Sequence, residues 1–270
     1  MREGIVVEVI TTDFNITGID MGKHAVCSPS SFDRWRLDHC PYSAQANAKM
    51  PSKSSYPASE GTVMHEICEM HLKGKIQGVS LEEYWLNKEI EQEDSIIKVT
   101  ESLLDRAKIY IDYVEKRAKE LGGRLLIEEQ VELGEIHESV WGTADALIVA
   151  KDHLSVIDFK FGKFPVKHPS ENSQLWIYGL GALSRYGDVN TNVELTIVQP
   201  RSTNKKYIMT HDVSADALVD WGFRILKPSA EACFEDNPPK KAGDWCRFCN
   251  YKDDCDEFKR NEIRRVKNVK

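Results

Sequence analysis

Three β-rich runs stand at the centre of the chain: Leu125 to Leu133, Val140 to Ala150 and Leu154 to Phe161. Short polar turns, Gly134-Glu135 and Lys151-Asp152, separate them, and connections that short predict an antiparallel meander. Before the runs, Leu103, Ala107, Tyr110, Ile111 and Val114 recur at helical spacing and predict a buried stripe. That stripe belongs to one or two helices expected over residues 79–121, with the acidic stretch Glu89 to Asp94 as a solvated face. Nearer the start, Ser30 followed by Asp33 reads as a helix cap. The short helix it opens is expected to end near Cys40-Pro41, a loop to cover Lys49 to Pro57, and a second helix to run from about Glu60 to Lys73. After the runs come a helix from about Glu171 to Tyr186, strands Val193–Gln199 and Tyr207–Val213, and a helix from Ser214 to about Cys233. Helix, three strands, helix, strand (αβββαβ) describes an α/β sandwich whose mixed central sheet is flanked by helices. A compact cysteine-rich segment follows Pro238-Pro239.

The 270 residues are 41% hydrophobic and 29% charged, which suits a globular protein able to bury a core without disulfides. The expected division is an extension over 1–24, a single domain over 25–258 and a basic tail over 259–270. The domain includes an insertion at about 79–121 and a closing segment at 238–258. A net charge of −7 argues against indiscriminate coating of nucleic acid, although a local groove remains open. Lys259 to Lys270 carries six positive charges and one negative, so this tail could meet a polyanion or simply face water. No apolar run reaches a membrane span and none resembles a signal peptide, so a cytoplasmic, reducing location is expected. Seven cysteines there suit metal or catalysis better than disulfides.

Within the third run, alternation places Asp158 and Lys160 on one side and Ile157, Phe159 and Phe161 on the other. Alone, such a pair is more simply a surface ion pair. Asp145, in Trp141-Gly142-Thr143-Ala144-Asp145, lies on the strand expected to pair with it. Two carboxylates converging from adjacent strands repel unless a cation sits between them, and oxygen ligands suit Mg²⁺ or Mn²⁺. On the helices, His65 and Glu69 fall one turn apart, as do Gln174 and Tyr178. Each has a bland reading as helix surface or packing. Lys163, Lys167 and His168, with Arg201, Lys205 and Lys206, could flank the site and hold phosphates. Trp176 or Phe164 could stack a base.

Taken together, His65, Gly142-x-x-Asp145, Asp158-x-Lys160 and Gln174-x-x-x-Tyr178 resemble the RecB-type branch of the PD-(D/E)XK nucleases. The resemblance spans residues 60 to 178 and implies the restriction-endonuclease-like core. It also implies a metal held by His65, Asp145, Asp158 and the backbone carbonyl of Phe159. Asp145, Asp158 and Lys160 would be catalytic, with Gln174 and Tyr178 in a DNA-binding site. Glu60-Gly61-Thr62 and Gln199-Pro200-Arg201 add a likeness to phage- and prophage-encoded members, hence to DNA-end processing in recombination or replication, beside a phage recombination protein as a possible partner.

The closing segment carries Cys246-x-x-Cys249-x5-Cys255. Three thiolates wrap one metal but leave a ligand position for another residue, and Cys40 is the natural candidate. The CxxC alone also fits half a zinc ribbon or a redox pair. The layout of one early cysteine and this late triplet resembles the iron–sulfur staple of some RecB-type nucleases, AddB and CRISPR-associated ones among them. The resemblance implies a [4Fe–4S] cluster on Cys40, Cys246, Cys249 and Cys255, joining the N- and C-terminal segments, with zinc as the alternative. Cys27, Cys68 and Cys233 read as small buried hydrophobes. Two other readings stay open: a non-catalytic nucleic-acid-binding module, and a zinc-stabilised interaction protein.

Overall fold

Residues 25–51, 55–204 and 206–268 are described by a computed structural model. Residues 1–24 and 52–54, Lys205 and the last two positions, all covered by expectations above, lie outside the described residues. Helices α1 (Phe32–Trp35), α2 (Tyr42–Ala48), α3 (Tyr56–Leu72) and α4 (Leu81–Trp85) precede a hairpin of β1 (Glu89–Gln92) and β2 (Ser95–Lys98). Next come α5 (Glu101–Leu121) and the meander β3 (Arg124–Glu132), β4 (Trp141–Ala150) and β5 (His153–Phe159). Helix α6 (Ser173–Tyr186) leads to β6 (Asn192–Val198) and β7 (Ile208–Ser214). The segment from α7 (Ala215–Trp221) to α8 (Lys227–Ala232) passes through a π-helical turn, Gly222–Leu226, and α9 (Asp256–Asn268) comes last.

The five strands lie in the order β3-β4-β5-β6-β7. Every pairing is antiparallel except β5 with β6, for which α6 supplies the crossover that parallel neighbours need. This is the mixed, helix-flanked α/β sheet expected from the pattern. Burial explains why β5 and β6 read as nearly unbroken apolar runs: both faces are covered. Leu154, Val156 and Leu195 pack with Leu175 and Ile177 of α6, while Ile157, Phe159 and Val198 pack with Met64 and Ile67 of α3 and Tyr110 of α5. Helix α5 forms the amphipathic stripe anticipated from its spacing. Thr100 caps its start, and Gly122 at φ +59° ends it in the left-handed region.

Five local expectations need correction. Ser30 is no helix cap, since it lies inside a 3-10 turn, Pro29–Ser31, and α1 starts without a side-chain cap. Helix α3 starts at Tyr56, within the expected loop. The first helix ends at Trp35, because Arg36 turns to ψ 154°, well before Cys40. The stretch before Lys49 then forms α2, whose alanines and serine gave little periodic signal. The acidic stretch from Glu89 is a strand and turn, not a helix face. Glu93 sits at φ +51° in the turn, and Ile97 is buried with the α3 side chains, so the hairpin's order comes from packing that its polar composition hides. Among the described residues, no helix is long and apolar enough to cross a membrane.

Candidate functional site

Pairing between β4 and β5 runs from Ala150 with His153 to Ala146 with Ile157, and stops there. Asp145 is the next residue along β4, so it sits where the two strands part. Opposite it on β3, Glu128 adopts φ +54°, and the β3–β4 pairing skips this position while continuing on either side. Local strain of that kind persists only when the surroundings over-determine it. The parting leaves the Phe159 amide without a strand partner, and Asp145 Oδ2 accepts its hydrogen bond at 2.7 Å. Asp145 Oδ1 lies 3.3 Å from His65 Nδ1 on α3. One ligand atom from each of His65, Glu128 and Asp145 falls within 4.8 Å of the others, a spacing suited to a shared cation. This trio opens into a cleft of about 460 Å³ that Lys160, Phe161 and Gly162 also line.

Asp158 is a neighbour of the trio, not a member of it. Strand alternation carries it to the α6 side, where it is 2% exposed. Its oxygens lie 3.0 and 2.9 Å from Lys160 Nζ, yet Oδ2 accepts no well-directed hydrogen bond. The same Nζ donates to Gln174 Oε1 at 2.8 Å, and Gln174 Nε2 donates to the Tyr178 hydroxyl at 3.0 Å. Gln174 and Tyr178, expected to meet substrate, thus form a chain that fixes the Lys160 amine, and Tyr178 itself is buried. Gly142 makes room for that chain: a Cβ there would lie 2.8 Å from Pro29 and 3.0 Å from the Tyr178 ring.

The electrostatics follow from crowding like charges in a half-enclosed space. Burial, then the charge of Asp145, raises Glu128 to about 7. Burial also raises Asp158 to about 6; Lys160 opposes the shift and Asp145 adds to it. Burial alone would raise Asp145 too, but His65, Lys160 and the Phe159 amide outweigh it, and the carboxyl ends below its ordinary value. Burial pulls His65 down, and Asp145 more than reverses that, leaving it above its ordinary value. Cys68 and Tyr110, both buried beneath Asp145, are pushed far up by burial and stay neutral.

Around the cleft the positive residues divide. Lys163 is exposed beside it. Arg201 is engaged: its guanidinium pairs with Glu60 and lies 4.7 Å over the Phe161 ring. Lys167 pairs with Asp33, and His168 bonds Ser170. Trp176 is not free to stack a base, since its indole donates to the Pro169 carbonyl at 3.1 Å and its ring packs on Trp221.

Apart from the cleft, Cys40, Cys246, Cys249 and Cys255 all line one cavity. Two short turns, Asp244–Phe248 and Lys252–Asp254, present the last three. Asn47 ties them to α2, donating to Cys249 Sγ at 3.2 Å and accepting from the Asn250 amide at 2.8 Å. Arg34 is drawn down by burial and held up by the thiols of Cys249, Cys40 and Cys246, so its charge lies among them. Among the described residues the trio at Asp145 is the sole set of three or more such ligand atoms within 4.8 Å, so no three of these sulfurs approach that closely. Tetrahedral zinc, with Zn–S about 2.3 Å, would draw them to about 3.8 Å. An iron–sulfur cubane places iron and sulfide between its thiolates and suits a wider set. Cys27 and Cys233, both free thiols, instead lie against each other in the core.

Glu128 is the site residue that the sequence reading missed. It follows the apolar run Leu125-Leu126-Ile127, where alternation gives no clue to its direction, and only its acidic character on a strand beside that of Asp145 marked it. A family model described as Protein of unknown function (DUF2800) matches residues 24–269, and the chain belongs to that family. The matched span contains the cleft and all four cysteines of the cavity.

Proposed function

We propose that the cleft is the active site of a divalent-cation-dependent deoxyribonuclease of the PD-(D/E)XK superfamily, RecB-type branch, and that it hydrolyses phosphodiester bonds at DNA ends. The observation that carries this reading is the Lys160 amine, fixed between Asp158 and Gln174 beside a carboxylate–imidazole trio. Glu128 and Asp158, which burial and the nearby Asp145 charge raise above their ordinary range, would be eased by a cation bound among them. His65, Asp145 and Glu128 would hold Mg²⁺ or Mn²⁺, with Asp158 and the Phe159 carbonyl next to them. The bound ion would polarise the scissile phosphate and acidify a water. Lys160 then donates hydrogen bonds to the oxygen on which negative charge grows, without having to reorganise. The Gln174–Tyr178 chain keeps that amine aimed. Lys163 meets a flanking phosphate.

The cysteine cavity is best read as the seat of a [4Fe–4S] cluster. One early and three late cysteines gathered at a single cavity support this reading, and the embedded Arg34 would offset part of the negative charge that four thiolates bring to the centre. Its role is to hold the segment around Cys40 to residues 246–255. A reducing, cytoplasmic setting suits seven free cysteines. Work on phage-type recombination or replication intermediates, beside a recombination protein, fits the same reading. The test is incubation of purified protein with end-labelled linear and circular DNA in Mn²⁺ or in chelator. Shortening of linear DNA only with Mn²⁺ is expected. Intact DNA bound to the protein would instead favour a non-catalytic binding module.

A further inference from the structure

Phe164 is 82% exposed, the most exposed large apolar side chain among the described residues. A single exposed phenylalanine is ordinary on a mobile loop, but this loop is fixed. Gln199, completely buried, donates to the carbonyls of Gly162 at 2.8 Å and Phe164 at 2.7 Å, and accepts from the Val166 amide at 3.4 Å. The Thr203 amide bonds the Lys163 carbonyl at 3.3 Å from the neighbouring loop. Arg106 anchors that loop through the Pro200 carbonyl at 2.8 Å, and Arg201 pins Phe161 and Glu60. Phe161 fills the inward position, so the ring three residues later is held out in water.

The loop is also placed for a purpose. Its first residues, Lys160, Phe161 and Gly162, line the cleft, and exposed Lys163 stands between them and Phe164. A cation for a phosphate beside an aromatic face for a base is the pairing that binds unpaired nucleic-acid strands.

We propose that Phe164 stacks on an unpaired nucleobase of the strand entering the cleft, so that the site takes single-stranded or frayed DNA in preference to a closed duplex end. This rests on the nuclease reading for the identity of the ligand. Gln199 is the positioning residue that keeps the ring presented.

The test compares full-length wild type, Phe164→Ala and Phe164→Trp. Each is titrated in Ca²⁺ with a fluorescent single-stranded oligonucleotide, the same strand with abasic terminal nucleotides, and the blunt duplex. Thermal melting confirms that the variants fold. Phe164→Ala should weaken binding of the base-bearing strand by about tenfold. The tryptophan variant should restore it, and the alanine effect should vanish on the abasic strand. Equal binding by wild type and Phe164→Ala, or the same loss on abasic and base-bearing strands, overturns the proposal, as does wild type that binds no DNA. Wild-type cleavage in Mn²⁺, measured alongside, judges the nuclease reading separately. Cleavage with Phe164-independent binding removes only the stacking. Phe164-dependent, base-dependent binding without cleavage supports the stacking and removes the nuclease.

Discussion

The cleft at the end of β5 collects its groups from adjoining strands and the helices packed on them, whereas the cysteine cavity joins Arg34, Cys40 and Asn47 to a segment some two hundred residues later. In the cleft, burial and the charge of Asp145 raise the pKa values of Glu128 and Asp158, an arrangement that costs stability and is common where side chains do chemistry. In the cavity, neutral hydrogen bonds and ring contacts already join the two segments: Tyr42 N–H to the Pro239 carbonyl at 3.2 Å, and His39 stacked on Trp245 at 3.8 Å. Damage to the first should therefore remove activity and spare the fold. Damage to the second should do the reverse.

The sharpest contrast is expected from Lys160→Ala. Loss of a preorganised donor to the developing charge should lower single-turnover cleavage by about 10³-fold. The circular dichroism spectrum should stay native, because Asp158 can take up a proton in place of its lost partner. Cys249→Ser should act oppositely. Releasing a closure of this length costs roughly 2–4 kcal/mol by analogy with a cross-link, which in a domain of this size lowers Tm by about 10 °C. Visible absorption of anaerobically purified protein should fall with it. A native Tm in Cys249→Ser would erase the distinction between the regions.

A smaller effect is expected from Glu128→Gln. It should weaken Mn²⁺ binding by about tenfold in calorimetry and leave the cysteine region unchanged. The pH dependence sharpens the same point. Glu128 at about 7 and Asp158 at about 6 are raised by burial, so the folded chain holds protons that the unfolded chain has released. Their contribution to stability is present below the ordinary carboxylate range and lost as pH rises through about 6 to 7. Mn²⁺ competes with those protons, so its thermal stabilisation should be larger near pH 8 than near pH 5.5. Equal stabilisation at both would mean that the ion binds elsewhere.

Much of this was legible in the chain because it depends on strand alternation. The meander, the split between Asp158 with Lys160 and the Ile157, Phe159, Phe161 side, and the stripe of α5 all follow from local periodicity. What alternation could not give was the parting of β4 from β5 at Asp145, which is decided by tertiary packing and carries Glu128 into the site. For the same reason the pairing of Arg201 with Glu60 could not be read, since nothing near Arg201 in sequence announces Glu60. The Gln174–Tyr178 spacing marked one helix face correctly, but its partner is Lys160, visible only once α6 lies over β5. The short hairpin was hidden by its acidic composition.

Calorimetric titration of Mn²⁺ into wild type and Asp145→Asn tests the central claim most directly, since Asp145 belongs to every version of the cation site. The account predicts saturable binding to wild type and a loss of about tenfold or more in Asp145→Asn, with both proteins melting as folded chains. Mn²⁺ binding of equal strength in the two, or none in the wild type, would contradict it.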